Sequence, residues 1–402
     1  FEPADGFFSR SLAEFAAQIG VRLVLHPNPM FLTSASDWET YSRSHKRRLM
    51  ADFYTWQRRR LRILVDESGQ PKGGQWSFDA ENRHRLPPKL EIPYAHTSPP
   101  DAITKEVMAM VQTEFTDHAG SADNFDYPVD HKGALLWLDD FLENRLTLFG
   151  TYEDAISKDE RIVFHSVLSP LINIGLLTPS QVIEAVLARH RREPVPLNSL
   201  EGFIRQVIGW REFVRGIDRD YEHMSLPAGP FNHHRKLKEC WYEGTTGLPP
   251  LDNAINRAKN HGYCHHIERL MILGAAMLMC EVEPFEANQW FMEMFVDATA
   301  WVMRPNVVGM SQFADGGYFA TKPYISGSNY ILKMSDYEKI PWCEVWDGLY
   351  WRFIHQNRAF FAANPRLSVM VKGVDRLEPA RKERIFAAAD GFIDDSTTKP
   401  AE

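Results

Sequence analysis

The 402-residue chain is 44% hydrophobic and 24% charged, with a formal net charge of −8. These are the proportions of a globular protein long enough for two or three domains. They exclude a protein coated in basic surface, though a local basic groove remains compatible with them. No apolar run is long enough to span a membrane, so no membrane partner is expected.

Four cysteines, Cys240, Cys264, Cys280 and Cys343, form no CxxC pair. A disulfide framework is therefore not expected, and a reducing bacterial cytoplasm is the simplest setting. No basic-then-apolar leader opens the chain. It starts without Met and in mid-pattern, so an upstream segment is expected.

The stretch "SRSLAEFAAQIGVRLVLHPNPMFLTS" (9–34) predicts an amphipathic helix, then an apolar strand "VRLVLH", then a Pro-containing turn. One αβ unit is too little to fold alone, and residues 1–35 read as the tail of an α/β domain. Residues 36–64 predict one long helix with a basic cluster around Lys46, Arg47 and Arg48. The 27 residues of "ESGQPKGGQWSFDAENRHRLPPKLEIP" lack sustained periodicity. They read as an interdomain linker with a functional role, within a 36–100 helix-and-linker segment.

From 101 to 402 the periodicity is helical almost throughout. The main predicted helices are "TKEVMAMVQTEF", "HKGALLWLDDFLENRL", "IVFHSVLSPLINIGLL", "SLEGFIRQVIGWREFVRGI", "HHIERLMILGAAMLMC" and "EANQWFMEMFVDATAWVM". Thr178, Pro179 and Gln181 predict a capping box with Pro at the first helical position. Pro379 opens the last helix in the same way. The fold class is thus mostly α: a fragment of α/β, a linker, then a large all-helical domain without internal repeats.

Within "HGYCHHIERLM" (261–271) His265 and His266 are adjacent. On a helix they would point about 100° apart, which does not suit a shared metal. A polar residue capping a core is the common explanation of such a pair. Arg269 shares a helix face with His266 and should disfavour its imidazolium form. "GFIRQVIGWREF" (202–213) places Arg205, Gln206, Trp210, Arg211 and Glu212 in an otherwise apolar helix. That suits either a half-exposed face or the wall of a polar cavity. "TLFGTYEDAIS" (147–157) and "FHSVLSP" (164–170) set hydroxyls near expected helix starts, where phosphate can bind but where serine is also a common cap. "NVVGMSQFADGGYFATKPYISGSNYILKMSDY" (306–337) mixes turn formers with rings. Tyr318, Phe319, Tyr324 and Tyr330 suit base stacking there, and Lys322 and Lys333 suit phosphate contact. Six of the eleven tryptophans lie between 241 and 351, as in a large aromatic core or a site that carries electrons.

In this order, "FGTYEDA", "HSVLSPLINIGLL", "GFIRQVIGWREF", "YEGTTGLPPLD", "GYCHHIERLM", "WFMEMFVDA" and "NVVGMSQFADGG" resemble the cryptochrome/photolyase superfamily. "WSFDAENR", "HHIERLM" and "GMSQFADGG...TKPY" resemble its bacterial photolyase-related branch, which includes prokaryotic (6-4) photolyases. The resemblance implies an antenna domain at the N-terminus and a helical domain that holds FAD. Ser166 and Ser169 would meet the flavin's phosphate region, and Arg205, Gln206 and Trp210 would line the same cavity. Arg269 and Asp297 would form the ion pair beside the isoalloxazine. Met303 takes the place where many relatives present Asn.

The implied chemistry is electron transfer from excited reduced FAD to a flipped-out pyrimidine (6-4) photoproduct in UV-damaged DNA. His266 aligns with the catalytic histidine, His265 with its positioning neighbour, and Asp79 and Tyr324 with lesion contacts. Leu270 stands where eukaryotic (6-4) enzymes have a second histidine. Cyclobutane dimer repair and blue-light signalling are the alternatives. Trp290 aligns with the flavin-proximal electron donor, and Tyr330 and Tyr242 with later steps. Lys46, Arg47, Arg48 and Lys322 are the expected DNA contacts of a monomer. An antenna such as 6,7-dimethyl-8-ribityllumazine is suggested by relatives. Many of them bind a [4Fe–4S] cluster through four cysteines. Here Pro250 replaces the first, the CxxC after "SDY" is missing, and no metal or cluster is expected.

Overall fold

The computed structural model describes residues 1–224 and 229–399. Nearly all regular structure among the described residues is helical; the two strands there, Lys236–Leu237 and Thr397–Thr398, are two residues each and pair antiparallel. Side-chain caps explain several helix starts. Asp5 caps Gly6–Gln18, Asp101 caps Ala102–Glu114 and Asp130 caps His131–Asn144. The capping box of Thr178 and Gln181 opens Pro179–Arg192, as its sequence predicts. Pro379 heads the final helix, Pro379–Ser396, where the Glu378 carboxylate accepts from the amides of Ala380 and Arg381.

Several elements depart from the pattern read in sequence. "VRLVLH" forms no ladder: a strand needs a partner, and its main-chain bonds run from the Glu2 amide to the His26 carbonyl, 2.7 Å, and from the Val21 amide back to the Ala16 carbonyl, 3.0 Å. The helix expected over 36–64 is two helices, Ala35–Ser44 and Met50–Leu61. The break falls at the basic cluster, where His45 is extended and Arg48 swings back to Asp220 at 2.9 Å. The stretch 162–177 contains only a five-residue helix, Ser169–Asn173, because Val163 and Val167 adopt positive φ (47° and 52°). "EANQWFMEMFVDATAWVM" is likewise split into Pro284–Met294 and Ala300–Met303 by an extended Phe295. Residues 147–157 do not start a helix as expected; Leu146–Phe149 is a single short helix that ends there.

Among the described residues, three helices widen into π-type turns: Arg205–Arg211, Glu268–Gly274 and Arg304–Ser311. Such turns shift the side-chain phase and are common beside functional sites. All three fall in or overlap segments that the sequence singles out: the possible cavity wall 202–213, the histidine-pair stretch 261–271 and the ring-rich stretch 306–337.

Three buried clusters hold the molecule together. One gathers Trp241, Met277, Trp290, Trp346 and Phe353. A second gathers Trp137, Phe141, Phe149 and Phe203. A third packs Phe31, Trp38, Tyr41 and Phe53 against Phe213, Ile217 and Trp301, so residues 31–53 are part of the helical body. Helices Trp342–Gln356 and Pro379–Ser396 touch at Gly348, where an added Cβ would sit 2.0 Å from the Ile385 carbonyl oxygen. Backbone cannot give way as a side chain can. Gly348→Ala is therefore expected to cost ~2 kcal/mol in overpacking, read as a lower denaturant midpoint. An unchanged midpoint would show that these helices slide freely.

Candidate functional site

At the centre is a buried ion pair. The Arg269 guanidinium donates from Nη1 to Asp297 Oδ1 at 2.8 Å and from Nε to the Cys264 carbonyl at 2.7 Å. The second Asp297 oxygen accepts from Ser169 Oγ at 2.6 Å, and its carbonyl accepts from Asn173 at 2.9 Å. Arg269 also lies over the Phe295 ring at 4.1 Å and the Tyr263 ring at 5.0 Å. Burial disfavours its charge, but Asp297 outweighs burial and raises its pKa further. Arg269 Nη2 and Thr299 Oγ1 are buried with no hydrogen-bond partner. Buried donors left unsatisfied are costly, so this spot suits a ligand rich in acceptors, as an isoalloxazine ring is. The residues present fit FAD here.

Trp290 is fully buried and donates from Nε1 to the Trp241 carbonyl at 3.0 Å. Its ring meets Phe295 edge-on at 6.0 Å. One ring therefore bridges Trp290 to Arg269. Tyr242, next to Trp241, donates to the exposed side chain of Glu293 at 3.3 Å, which puts it towards the surface. Burial and then Glu293 push its pKa up to about 12. Tyr330 lies elsewhere: the charges beside its hydroxyl are Asp154 and Arg83. Met303 is buried within the Trp290 cluster.

Three histidines gather on the other side of Arg269. His265 precedes the helix instead of lying on it, and is fully buried. Its ring stacks on His165, centroids 4.8 Å apart and planes 9° apart. His266 meets His165 edge-on at 5.3 Å. Burial pushes His165 down to about 3 and His265 well below the usual range, with the neighbouring histidines adding to both. The ligand atoms of the trio lie within 4.8 Å of one another. Stacked rings aim their lone pairs in parallel planes, whereas zinc wants nitrogens converging at about 2.0–2.1 Å. The His165 Nε2 is also engaged with the Glu153 carbonyl at 3.0 Å.

His266 behaves oppositely. Its side chain is 47% exposed, and Nε2 lies 3.4 Å from Asp154 Oδ1. Burial and Arg205 oppose its charged form; the hydrogen bond and charge of Asp154, with Glu153, outweigh them and raise its pKa. The expected disfavouring by Arg269 does not prevail at His266, because Asp154 and Glu153 favour the charge more strongly.

Asp154 connects to the remaining site residues. Arg83 Nε lies 3.7 Å from Asp154, and the same guanidinium grips Asp79. Asp79 also meets Arg205 at 3.3 Å, and Asp79 and Arg83 are the charges that act on the Tyr324 hydroxyl. Arg205 is buried among Glu201, Glu153 and Asp79. Gln206 donates to Glu153 at 2.6 Å and Asn82 does so at 2.5 Å. Burial, partly offset by Arg205, raises the Glu153 carboxyl to about 7.

Not every predicted residue joins this group. Trp210 packs on Phe213 and Phe319, at 6.5 and 6.1 Å. Ser169 spends its hydroxyl on Asp297, while the Ser166 carbonyl accepts from Trp137 at 2.9 Å. Arg48 is engaged by Asp220 and is not a free phosphate contact; Lys46, Arg47 and Lys322 are exposed. His165, Glu153, Asp154 and Arg83 went unread. All four lie inside motifs that the sequence highlights, but acids and a histidine beside apolar residues carry no spacing signal.

Comparison with known proteins then defines the class. Residues 203–339 match the model of the FAD binding domain of DNA photolyase, and residues 1–127 match that of deoxyribodipyrimidine photo-lyase-related proteins. The chain is 36% identical over 411 aligned positions to a (6-4) photolyase of Agrobacterium fabrum, covering 98% of this chain and 79% of that protein. It is 27% identical to the deoxyribodipyrimidine photo-lyase of Escherichia coli over 44% of this chain and 38% of that one. In fold it is similar to a bacterial class III photolyase from Agrobacterium tumefaciens, with TM-score 0.50 and 18% identity, over 98% of this chain and 78% of that one. The chain belongs to the cryptochrome/photolyase superfamily, in its photolyase-related bacterial branch. No helix among the described residues is long and apolar enough to cross a membrane.

Proposed function

We propose that the protein repairs UV-damaged DNA by light-driven electron transfer, and that its substrate is the pyrimidine (6-4) photoproduct. The observation that carries the choice of lesion is the chain of contacts from His266 through Asp154 and Arg83 to Asp79, with Tyr324 beside it. A flipped-out base needs polar partners on its edge, and a (6-4) product also needs a proton moved. His266 is exposed enough to meet a ligand, and Asp154 raises its pKa, which favours the protonated form a general acid needs.

FAD, when bound and reduced, supplies the light-absorbing electron donor. The chain's own part is to seat it and keep charge beside it. The Arg269 guanidinium, fixed by Asp297, offers its unpartnered Nη2 to an acceptor on the cofactor. Phe295 and Trp290 would exclude water behind that arginine, and Trp290 would be the residue to return an electron to the cofactor. Lys322 and the exposed Lys46 and Arg47 would meet the DNA backbone.

The test is illumination of reduced protein with oligonucleotides that carry either a (6-4) product or a cyclobutane dimer. Restoration of the (6-4) bases is expected. Repair of the dimer alone would move the substrate, and repair of neither, with flavin bound, would favour a signalling role.

We further propose that the protein carries no [4Fe–4S] cluster. Cys264, Cys280 and Cys343 are buried thiols whose pKa burial pushes up, the reverse of the thiolate a cluster needs. Pro250 sits in the first turn of helix Pro249–His261. Iron analysis of anaerobically purified protein is expected to find none; about four irons per chain would refute this.

A further inference from the structure

We infer that Asp154 is a positioning residue for His266, fixing one imidazole nitrogen and its charge while the other nitrogen is left for the lesion. The inference deepens the proposed (6-4) reading and rests on it for its role in repair. It stands first on geometry. Asp154 Oδ1 lies 3.4 Å from His266 Nε2, and the Asp154 side chain is mostly buried (18% exposed) while the imidazole is open. The acid is itself held in place: its amide donates to the Asn82 carbonyl at 3.3 Å, and Arg83 lies 3.7 Å from its carboxylate. Asp79 grips the same Arg83. One arginine therefore links the lesion-side acid to the acid behind the histidine.

The groups facing His266 can be set against one another. Asp154 and Glu153 favour the imidazolium; burial and Arg205 oppose it. His165 and His265 pack on its ring but are kept neutral by burial. Arg269, one turn on, is paired with Asp297 at 2.8 Å, and the Tyr330 hydroxyl beside Asp154 stays protonated. With Glu153 itself drawn up to about 7 by burial, Asp154 is the dominant favourable partner. The raised His266 pKa means that the imidazolium is complete below the ordinary histidine value of about 6.5 and is lost as pH rises through the raised value. A histidine that must donate a proton would therefore work to higher pH with Asp154 than without it. Lacking Asp154, burial and Arg205 would be opposed by Glu153 alone, and the pKa would fall.

The experiment follows the His266 imidazole by NMR in ¹⁵N-histidine-labelled, FAD-loaded protein, in the dark, assigned by its disappearance in His266→Gln. The wild-type midpoint is expected above the ordinary histidine value. Asp154→Asn should lower it by ~1 pH unit or more, and Asp154→Glu should restore part of the shift. The alkaline limb of (6-4) repair should move by the same amount, while flavin absorbance shows that the cofactor stays bound. A wild-type midpoint at or below the ordinary value overturns the inference without any variant, and so does an unchanged midpoint in Asp154→Asn. A lowered midpoint together with wild-type protein inactive on (6-4) DNA would leave the His266–Asp154 pairing standing and sink the proposed substrate instead.

Discussion

Replacing His266 with alanine is expected to reduce (6-4) repair by ~10²–10⁴-fold, the usual contribution of a positioned general acid, while the purified protein stays yellow. The side chain is about half exposed and makes no packing contact on which FAD seating depends: the Arg269–Asp297 pair lies a helical turn away. Activity loss should therefore appear without cofactor loss or a change in unfolding midpoint. The measurement is repair yield per photon absorbed, alongside the flavin-to-protein ratio. Repair at wild-type yield would remove His266 from the mechanism. Loss of flavin together with repair would make it a cofactor residue instead.

The second large effect is expected at Asp297. Asp297→Asn keeps the shape and the acceptor for Ser169 but removes the charge that compensates Arg269. Breaking a buried pair by removing one partner costs about 3–5 kcal/mol, because the remaining charge is stranded among Phe295, Tyr263 and Cys264. The variant should purify largely colourless and unfold at lower denaturant. Flavin content by absorbance and an unfolding curve check both halves. Full flavin occupancy with unchanged stability would mean that the pair is not the cofactor's charge partner.

The individual histidines show how far sequence reasoning reaches. The adjacent His265 and His266 meet different surroundings in the structure, although their ligand atoms stay within 4.8 Å of one another: one is sealed in a stack with His165, the other opens to solvent. Their opposite titration was not legible, because it depends on His165 and Asp154, about 100 residues earlier in the chain. Arg269 shows the same limit. From its helix position it should repel an imidazolium, but at His266 the acids Glu153 and Asp154, more than 100 residues earlier, prevail.

Local order decided much of this protein: the helical periodicity after residue 100, the capping box at Thr178, the Pro379 helix start and the motif order that marks the family. These depend on residues within one or two turns of each other, where propensity and hydrogen-bond geometry act directly. Tertiary structure alone decided the rest. An apolar run such as "VRLVLH" becomes a strand only with a neighbour to pair with, and a regular 3.6-residue pattern cannot reveal the π-type turns at Arg205, Glu268 and Arg304. The carboxylates around Arg205 and His266 converge from segments far apart in the chain. Burial and long-range charge set which of them carry a proton, and neither quantity is written in local sequence.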